Sequence, residues 1–208
     1  MSSKTTRLTS LEPSANWQRP TGEARQYEGP RTYNHKYGFG HEDWLFRSEW
    51  LVDGWRYAFL QGVNKSRRKL VKAHLPFDVT LFTIEPKAGH RFVATIYAVE
   101  CLDDRQAQDA FNVFKQRGWL DTMGKEIRDK GGDDSALGDP EWVKDILNIR
   151  FRQENVKPFF PVIYAKRDDP IQRLKRYQLY DFVNLSLTIE QTLKAGRKGS
   201  SRAFPSIM

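Results

Sequence analysis

One cysteine, Cys101, occurs in 208 residues, so an intrachain disulfide framework and a multi-thiolate zinc site are both excluded. Long apolar runs are missing as well. No window approaches the ~18 consecutive apolar residues that a membrane-spanning helix needs. The polar start, Met1 to Ser10, has no apolar core of a secretory signal, so the expected location is cytoplasmic. The strings that mark common chemistries are absent too: no G-x-x-x-x-G-K-[ST], no G-x-G-x-x-G behind a strand, no G-x-S-x-G and no H-E-x-x-H. No catalytic residue, cofactor or metal site is expected on these grounds, and Cys101 reads as a small buried side chain at a strand end. Acidic residues are lacking from positions 191–208 altogether.

What is there is positive charge and tryptophan. The chain carries 34 Lys and Arg against 26 Asp and Glu, a net charge of +8, with six Trp. The excess is segregated: residues 101–145 sum to −4, while 34–100 and 146–190 each sum to +3 and the last 18 residues to +4. Such a dipolar surface attracts phosphate by steering and counterion release. Charge alone leaves nucleic acid and a merely solvated basic face equally open.

Three regions follow from composition. Residues 1–33, with Pro13, Pro20 and Pro30 and little apolar periodicity, read as an arm, extended or partly disordered, that drapes on the body. Residues 34–190 form the domain, and 191–208 are a basic tail behind a closing helix over 187–193. Within the domain the patterning predicts strands at Trp44–Ser48 and Trp55–Gln61, paired around the turn-forming Asp53-Gly54. A hairpin of Val79–Glu85 and Arg91–Val99 across Pro86 to Gly89 is the clearest signal. Asp103 and Asp104 cap a helix to about Gln116, whose Ala107, Ala110, Phe111 and Phe114 share one face, and Gly118 stops it. A second helix runs from Trp119 to Lys130. Asp139-Pro140 opens a short helix through Trp142, and Leu147–Arg152 and Tyr177–Tyr180 are further strands. With no βαβ rhythm, the expectation is an α+β fold: a small mixed or antiparallel barrel with helices packed on it.

Two constellations carry candidate chemistry. Asn34 to Asp43 holds His35 and His41 with Glu42 and Asp43 beside Gly38 and Gly40. His41 and Glu42 would suit a metal-dependent nuclease, but the spacing matches no nuclease motif, and a loop whose side chains bond backbone amides is the favoured reading. The second is aromatic. Tyr37, Phe39, Trp44, Phe46, Trp50, Trp55, Tyr57 and Phe59 fall within 26 residues. Phe46, Tyr57 and Phe59 suit a core, whereas Trp50 falls after a strand where packing does not demand an indole. Trp50 and Trp55 are therefore the expected pocket walls, because a planar base or a methylated amine stacks on such faces. Basic segments adjoin them: Lys65, Arg67, Arg68, Lys69 and Lys72; Arg150 and Arg152 on one face of a strand; Lys166 and Arg167; and Arg173, Lys175 and Arg176. A cationic surface beside an aromatic pocket suits a strand held by its backbone while one base leaves the stack.

At these residues the chain resembles a family. Trp44-Leu-Phe-Arg-Ser-Glu-Trp50 resembles the opening strand of EVE domains, roughly W-L-x-K-S-E-P, and of the related YTH domains, both PUA-like barrels. The longer string Asn34-His-x-x-Gly-Phe-Gly-His-Glu-Asp-Trp-Leu-Phe46, with Gly54 to Gln61, is similar to bacterial EVE-like readers fused to HNH nucleases or working in modification-dependent restriction. Coverage is roughly 34–185. Trp50 departs from the pattern's proline, and with no HNH-type domain behind it this chain would be a reader acting with a separate nuclease effector. The resemblance implies a PUA-like fold that flips a modified base into an aromatic pocket. Carried over by position, Ser48 would meet the base edge and Trp50 and Trp55 would wall it, with Trp44, Phe39, His41 and Glu42 around them. The expected partner is duplex DNA with N6-methyladenine or a 5-modified cytosine. Modified RNA, a small nuclease at His41 and Glu42, and a methylated-amine cage are the alternatives.

Overall fold

The hairpin expected around residues 79–99 forms and is the spine of the molecule. The computed structural model describes residues 2–8, 41–85, 89–138 and 143–181. In them β1 (Ser2–Arg7), β2 (Leu51–Val52), β3 (Trp55–Ala58), β4 (Phe77–Glu85), β5 (Gly89–Cys101), β6 (Ile149–Arg152), β7 (Val156–Tyr164) and β8 (Tyr180–Asp181) make an eight-stranded sheet. Its order is β2-β3-β6-β5-β4-β1-β8, with β7 also on β5. Every pairing is antiparallel except β1 with β4. The 13 residues of β5 are long enough for two partners on one edge: β7 along Arg91–Ile96 and β6 at Glu100 and Cys101. The α+β class is as expected. The sheet is not closed, so the barrel read from the sequence is replaced, among the described residues, by an open sheet ending in β2 and β8.

Helices cover it. α1 (Arg67–Ala73) follows a 3-10 turn over Gln61–Ser66. α2 (Asp104–Gln116) and α3 (Trp119–Asp129) are those expected, and a single turn, α4 (Val143–Ile146), precedes β6. Asp103 caps α2 through a full capping box: its carboxylate accepts from Gln106 N–H at 2.7 Å and the Gln106 side chain accepts from its N–H at 3.0 Å. Such a cap contributes ~1 kcal/mol. Ala107, Ala110, Phe111 and Phe114 are all buried, the face that the spacing predicted.

The buried side chains fall into three groups. One lies on the sheet around Leu45, Leu60, Phe77, Leu81, Ile96 and Phe151. A second sits among the helices, with Trp44, Trp50, Phe111, Phe114 and Ile127. The third holds Phe82, Phe92, Ile163, Ile171 and Leu174. Alternation along β4 puts Phe77, Val79 and Leu81 in the first group and Phe82, on the opposite face, in the third. The register shift beside Leu81 and Phe82 places the extra residue, Val93, on β5, so that Val93 and Ala94 both join the first group while Phe92 joins the third.

Several local expectations change. Trp44–Ser48 is not a strand: His41–Trp44 is a 3-10 turn, and Leu45 and Arg47 N–H donate to the carbonyls of Glu42 and Trp44. Four consecutive residues, Glu42 to Leu45, are buried, which a strand with alternating faces does not allow. The winding sends Trp44 to the helices and Leu45 to the sheet. The partner of β3 is instead β2, directly before the turn. Asp53 (φ 51°) and Gly54 (φ 76°) are both left-handed, the two-residue hairpin that Asp-Gly favours, and it forces pairing of Val52 with Trp55. Two strands besides β2 were not foreseen. β1 lies in the stretch read as an arm, yet Thr5, Thr6 and Leu8 are buried. β7 falls where no element was expected, and its Pro158 and Pro161 lie exposed on the strand. Only Tyr180 of the expected strand at 177–180 is in β8. Residues 1, 9–40, 86–88, 139–142 and 182–208 lie outside the described residues, and with them Phe39, the helix expected over 139–142, the closing helix expected over 187–193 and the basic tail. No helix among the described residues is long and apolar enough to cross a membrane.

Candidate nucleic-acid interface

The aromatic residues separate into two environments. Trp50 is 6% exposed. Trp119 stacks on it with ring centroids 5.7 Å apart and planes 12° apart, Phe114 meets it edge-on at 5.8 Å, and the Arg47 guanidinium lies over its ring at 4.5 Å. Packing does demand this indole, and no face is left for a base, so the assignment of Trp50 as a pocket wall is corrected. Trp44 is buried as well, its indole N–H donating to Glu126 Oε2 at 2.7 Å. Arg47 pairs with the other oxygen of the same carboxylate and, through Nε, with Glu49 at 3.1 Å. This network pins the 41–50 segment to α3. Glu42 is buried and its Oε1 accepts from Gln61 N–H at 2.8 Å, the loop role favoured from the sequence. The His41 side chain lies outside the described residues, and among those described no three His, Cys, Asp or Glu side chains are grouped to hold a metal ion. Ser48 is exposed, and its hydroxyl donates to Glu49 at 3.4 Å.

Trp55 is different. It is half-buried on β3, opposite Arg152 of β6 and diagonal to Arg150. Both guanidiniums lie over its ring, Arg150 at 4.5 Å and Arg152 at 4.0 Å. Tyr57 shares the face, with its hydroxyl 3.5 Å from Arg150 Nη1. Arg150 is also held by Glu100 of β5, Nε–Oε2 at 2.8 Å and Nη2–Oε2 at 2.6 Å. Burial opposes its charge, but the bonds to Tyr57 and Glu100 outweigh that, and the guanidinium is held above its ordinary value. Arg152 donates to the Asp53 carbonyl at 2.8 Å. A Cβ at Gly54 would lie 2.7 Å from Arg152 Nη1, so the glycine both makes the turn and lets this guanidinium approach. The two arginines expected to face one side do so, and they converge on one indole.

The other face of β3 is internal: Arg56 is buried over Phe151 at 5.6 Å, and burial pulls it down to about 10 against the pull of Glu49. Nearby, Asn148 is fully buried and fully engaged. Its amide accepts from Leu60 N–H at 2.8 Å and donates to Leu60 O at 3.1 Å and Asn64 Oδ1 at 2.8 Å. It thereby fixes the turn that leads into α1, a role no sequence signal distinguished from an ordinary strand residue.

α1 presents Arg68, Lys69 and Lys72 to solvent, with Lys65 just before it. Arg67 turns inward, donating to Leu102 O at 3.2 Å and pairing with Asp104 at 2.7 Å. A groove of about 560 Å³ runs between α1 and the start of α2, lined by Arg67, Arg68 and Lys72 against Asp103 and Asp104. A smaller one of about 170 Å³ continues past His74 and Cys101 to Glu100, the partner of Arg150. Burial pushes the Cys101 thiol up to about 11, so at neutral pH it is no nucleophile. Arg173, Lys175 and Arg176 are exposed near β8. Leu179 N–H donates to Gly62 O at 3.1 Å, which brings that stretch beside the turn before α1. Three of the four basic groups thus lie in sequence along the surface, 173–176 beside the turn before α1, and α1 joined by the smaller groove to Glu100, the partner of Arg150. Lys166 and Arg167, the fourth, are exposed beyond β7. Compared with protein-family models, with curated proteins and with solved structures, the chain matches none.

Proposed function

We propose that the protein binds nucleic acid and reads a modified base, with N6-methyladenine or a 5-modified cytosine in DNA as the first targets. The observation that carries this reading is the Trp55 layer: a half-buried indole beside Tyr57, under the guanidiniums of Arg150 and Arg152. Indole and guanidinium planes both stack on bases, at ~1–3 kcal/mol per base, and the cations also take phosphate. The pocket proposed from the resemblance thereby contracts to Trp55 and its two arginines, with Trp44 and Trp50 as the structure behind them. A methyl group seated against the indole adds burial that discriminates by ~1–3 kcal/mol against the bare base. Arg68, Lys69 and Lys72, with Arg173 to Arg176, hold the flanking backbone. The sequence similarity of Trp44–Trp50 and Gly54–Gln61 to EVE-like modules is the support for a PUA-like relationship and for work beside a separate nuclease in restriction or phage defence, with the first stretch wound as a turn where the EVE pattern has its opening strand.

The test is anisotropy binding to matched DNA and RNA oligonucleotides, plain and carrying methyladenine, methylcytosine or hydroxymethylcytosine. One modified member binds roughly fivefold or more tighter than its plain counterpart, and Trp55→Ala removes the difference while staying folded. Absence of binding to every member at low salt refutes the reading. A uniform preference for RNA moves the partner from DNA to RNA.

A further inference from the structure

The setting of Arg117 repeats that of Arg152. Arg117 is exposed, just beyond the end of α2, and its Nη1 donates to the Leu51 carbonyl at 2.7 Å. Its guanidinium lies over Trp119 at 4.9 Å. Arg152 donates to the Asp53 carbonyl at 2.8 Å and lies over Trp55 at 4.0 Å. Each guanidinium is thus fixed by one main-chain carbonyl and one indole. Neither forms an ion pair with a carboxylate among the described residues. The two carbonyls are two residues apart on the β2–β3 hairpin, so their carbons are separated by at most about 7 Å. The hairpin is bracketed by two held, uncompensated positive charges.

We propose that Arg117 and Arg152 form a two-pronged anion grip across the β2–β3 hairpin that takes neighbouring phosphates of one nucleic-acid strand beside the held base. This rests on the base-reader reading and adds a backbone register to it. A guanidinium already ordered on an indole loses little freedom when an oxyanion binds, and its remaining N–H groups form the fork that matches phosphate. Two such forks on one short hairpin fix where the strand passes Trp55. An acidic peptide could answer the same charges. The strand is favoured because Arg150 and the basic face of α1 continue the cationic surface beyond the hairpin.

The experiment measures salt-dependent binding of the full chain to a plain and a modified oligonucleotide, and to poly-glutamate, for wild type, Arg117→Ala and Arg117→Lys. Arg117→Ala weakens both oligonucleotides alike, by roughly three- to tenfold at low salt, and lowers the slope of log K against log salt by about 0.7–0.9. Arg117→Lys restores the slope but not the full affinity, since an ammonium keeps the charge and loses the planar fork. A wild-type slope in Arg117→Ala, with its thermal midpoint unchanged, overturns the grip. So does poly-glutamate binding as tight as the oligonucleotides. Should Arg117→Ala unfold, Arg152→Lys read against wild type gives the same split between slope and affinity. Loss of the slope change with base discrimination intact removes the grip alone, whereas no oligonucleotide binding by wild type removes the base reader itself.

Discussion

Trp50→Ala separates packing from recognition. Trp50 is 6% exposed and is held by Trp119, Phe114 and Arg47. A buried Trp hides roughly 200 Å² of apolar surface, which at ~25 cal/mol per Å² is about 5 kcal/mol as an upper bound. Large-to-small truncations of this kind cost about 3–5 kcal/mol. Against a stability of ~5–15 kcal/mol that is a large fraction, and at ~2–4 °C per kcal/mol the midpoint falls by about 6–20 °C. Trp55→Ala removes a half-buried ring and two guanidinium contacts of ~0.5–1 kcal/mol each, so it costs about 1–3 kcal/mol. Urea unfolding and thermal scans of both variants, with oligonucleotide binding measured well below each midpoint, give the comparison. The expected pattern is opposite for the two. Trp50→Ala is strongly destabilised but still discriminates where it remains folded; Trp55→Ala is mildly destabilised and does not. A Trp50→Ala protein within 1 kcal/mol of wild type that has lost base discrimination refutes the packing argument.

Other outcomes are expected from single contacts. Asp103→Ala breaks the capping box of α2 and lowers stability by about 1 kcal/mol, while Asp103→Asn stays within a few tenths; urea midpoints check both. Glu126→Ala leaves the Trp44 indole N–H without its acceptor and Arg47 with Glu49 alone among the described carboxylates, and lowers stability by about 2–4 kcal/mol; Glu126→Gln costs less because its one amide oxygen still accepts one of the two hydrogen bonds. The Cys101 thiol is raised from 9.0 to about 11 chiefly by burial, against the opposing charge of Arg67. The unfolded thiol therefore ionises first: its stabilising contribution is complete below pH 9 and is lost as pH rises towards 11, and Cys101→Ala flattens that alkaline decline. Disulfide-exchange labelling of Cys101 at pH 8 is slow in the native protein and fast in urea.

Legibility varied with the range of the forces involved. The hairpin of β4 and β5, α2 with its cap, α3 and β6 were readable because their signals are local: alternation, periodicity, Asp at an N-cap, Gly beyond a helix end. Trp44–Ser48 alternates in sequence yet winds as a turn. Just before it, the buried Glu42 takes its hydrogen bond from the main chain of Gln61, a partner that no local pattern supplies. The Asp-Gly turn is visible in the sequence, but it is the two-residue geometry that selects Leu51–Val52, and not the longer apolar string upstream, as the partner of β3. β1 has little apolar pattern of its own and is a strand because β4 offers it a parallel edge.

By itself the sequence determined the α+β class, the absence of an intrachain disulfide, the segregation of charge and the same-face placement of Arg150 and Arg152, all consequences of composition or of period-two spacing. Tertiary structure decided which tryptophan is core and which is surface. Trp50 and Trp55 sit five residues apart in equally aromatic surroundings. One meets Trp119 and Phe114 from helices more than sixty residues later, and the other meets two arginines from a strand almost a hundred residues on. Burial is a property of what the rest of the chain brings to a side chain, so no local pattern could have divided the pair.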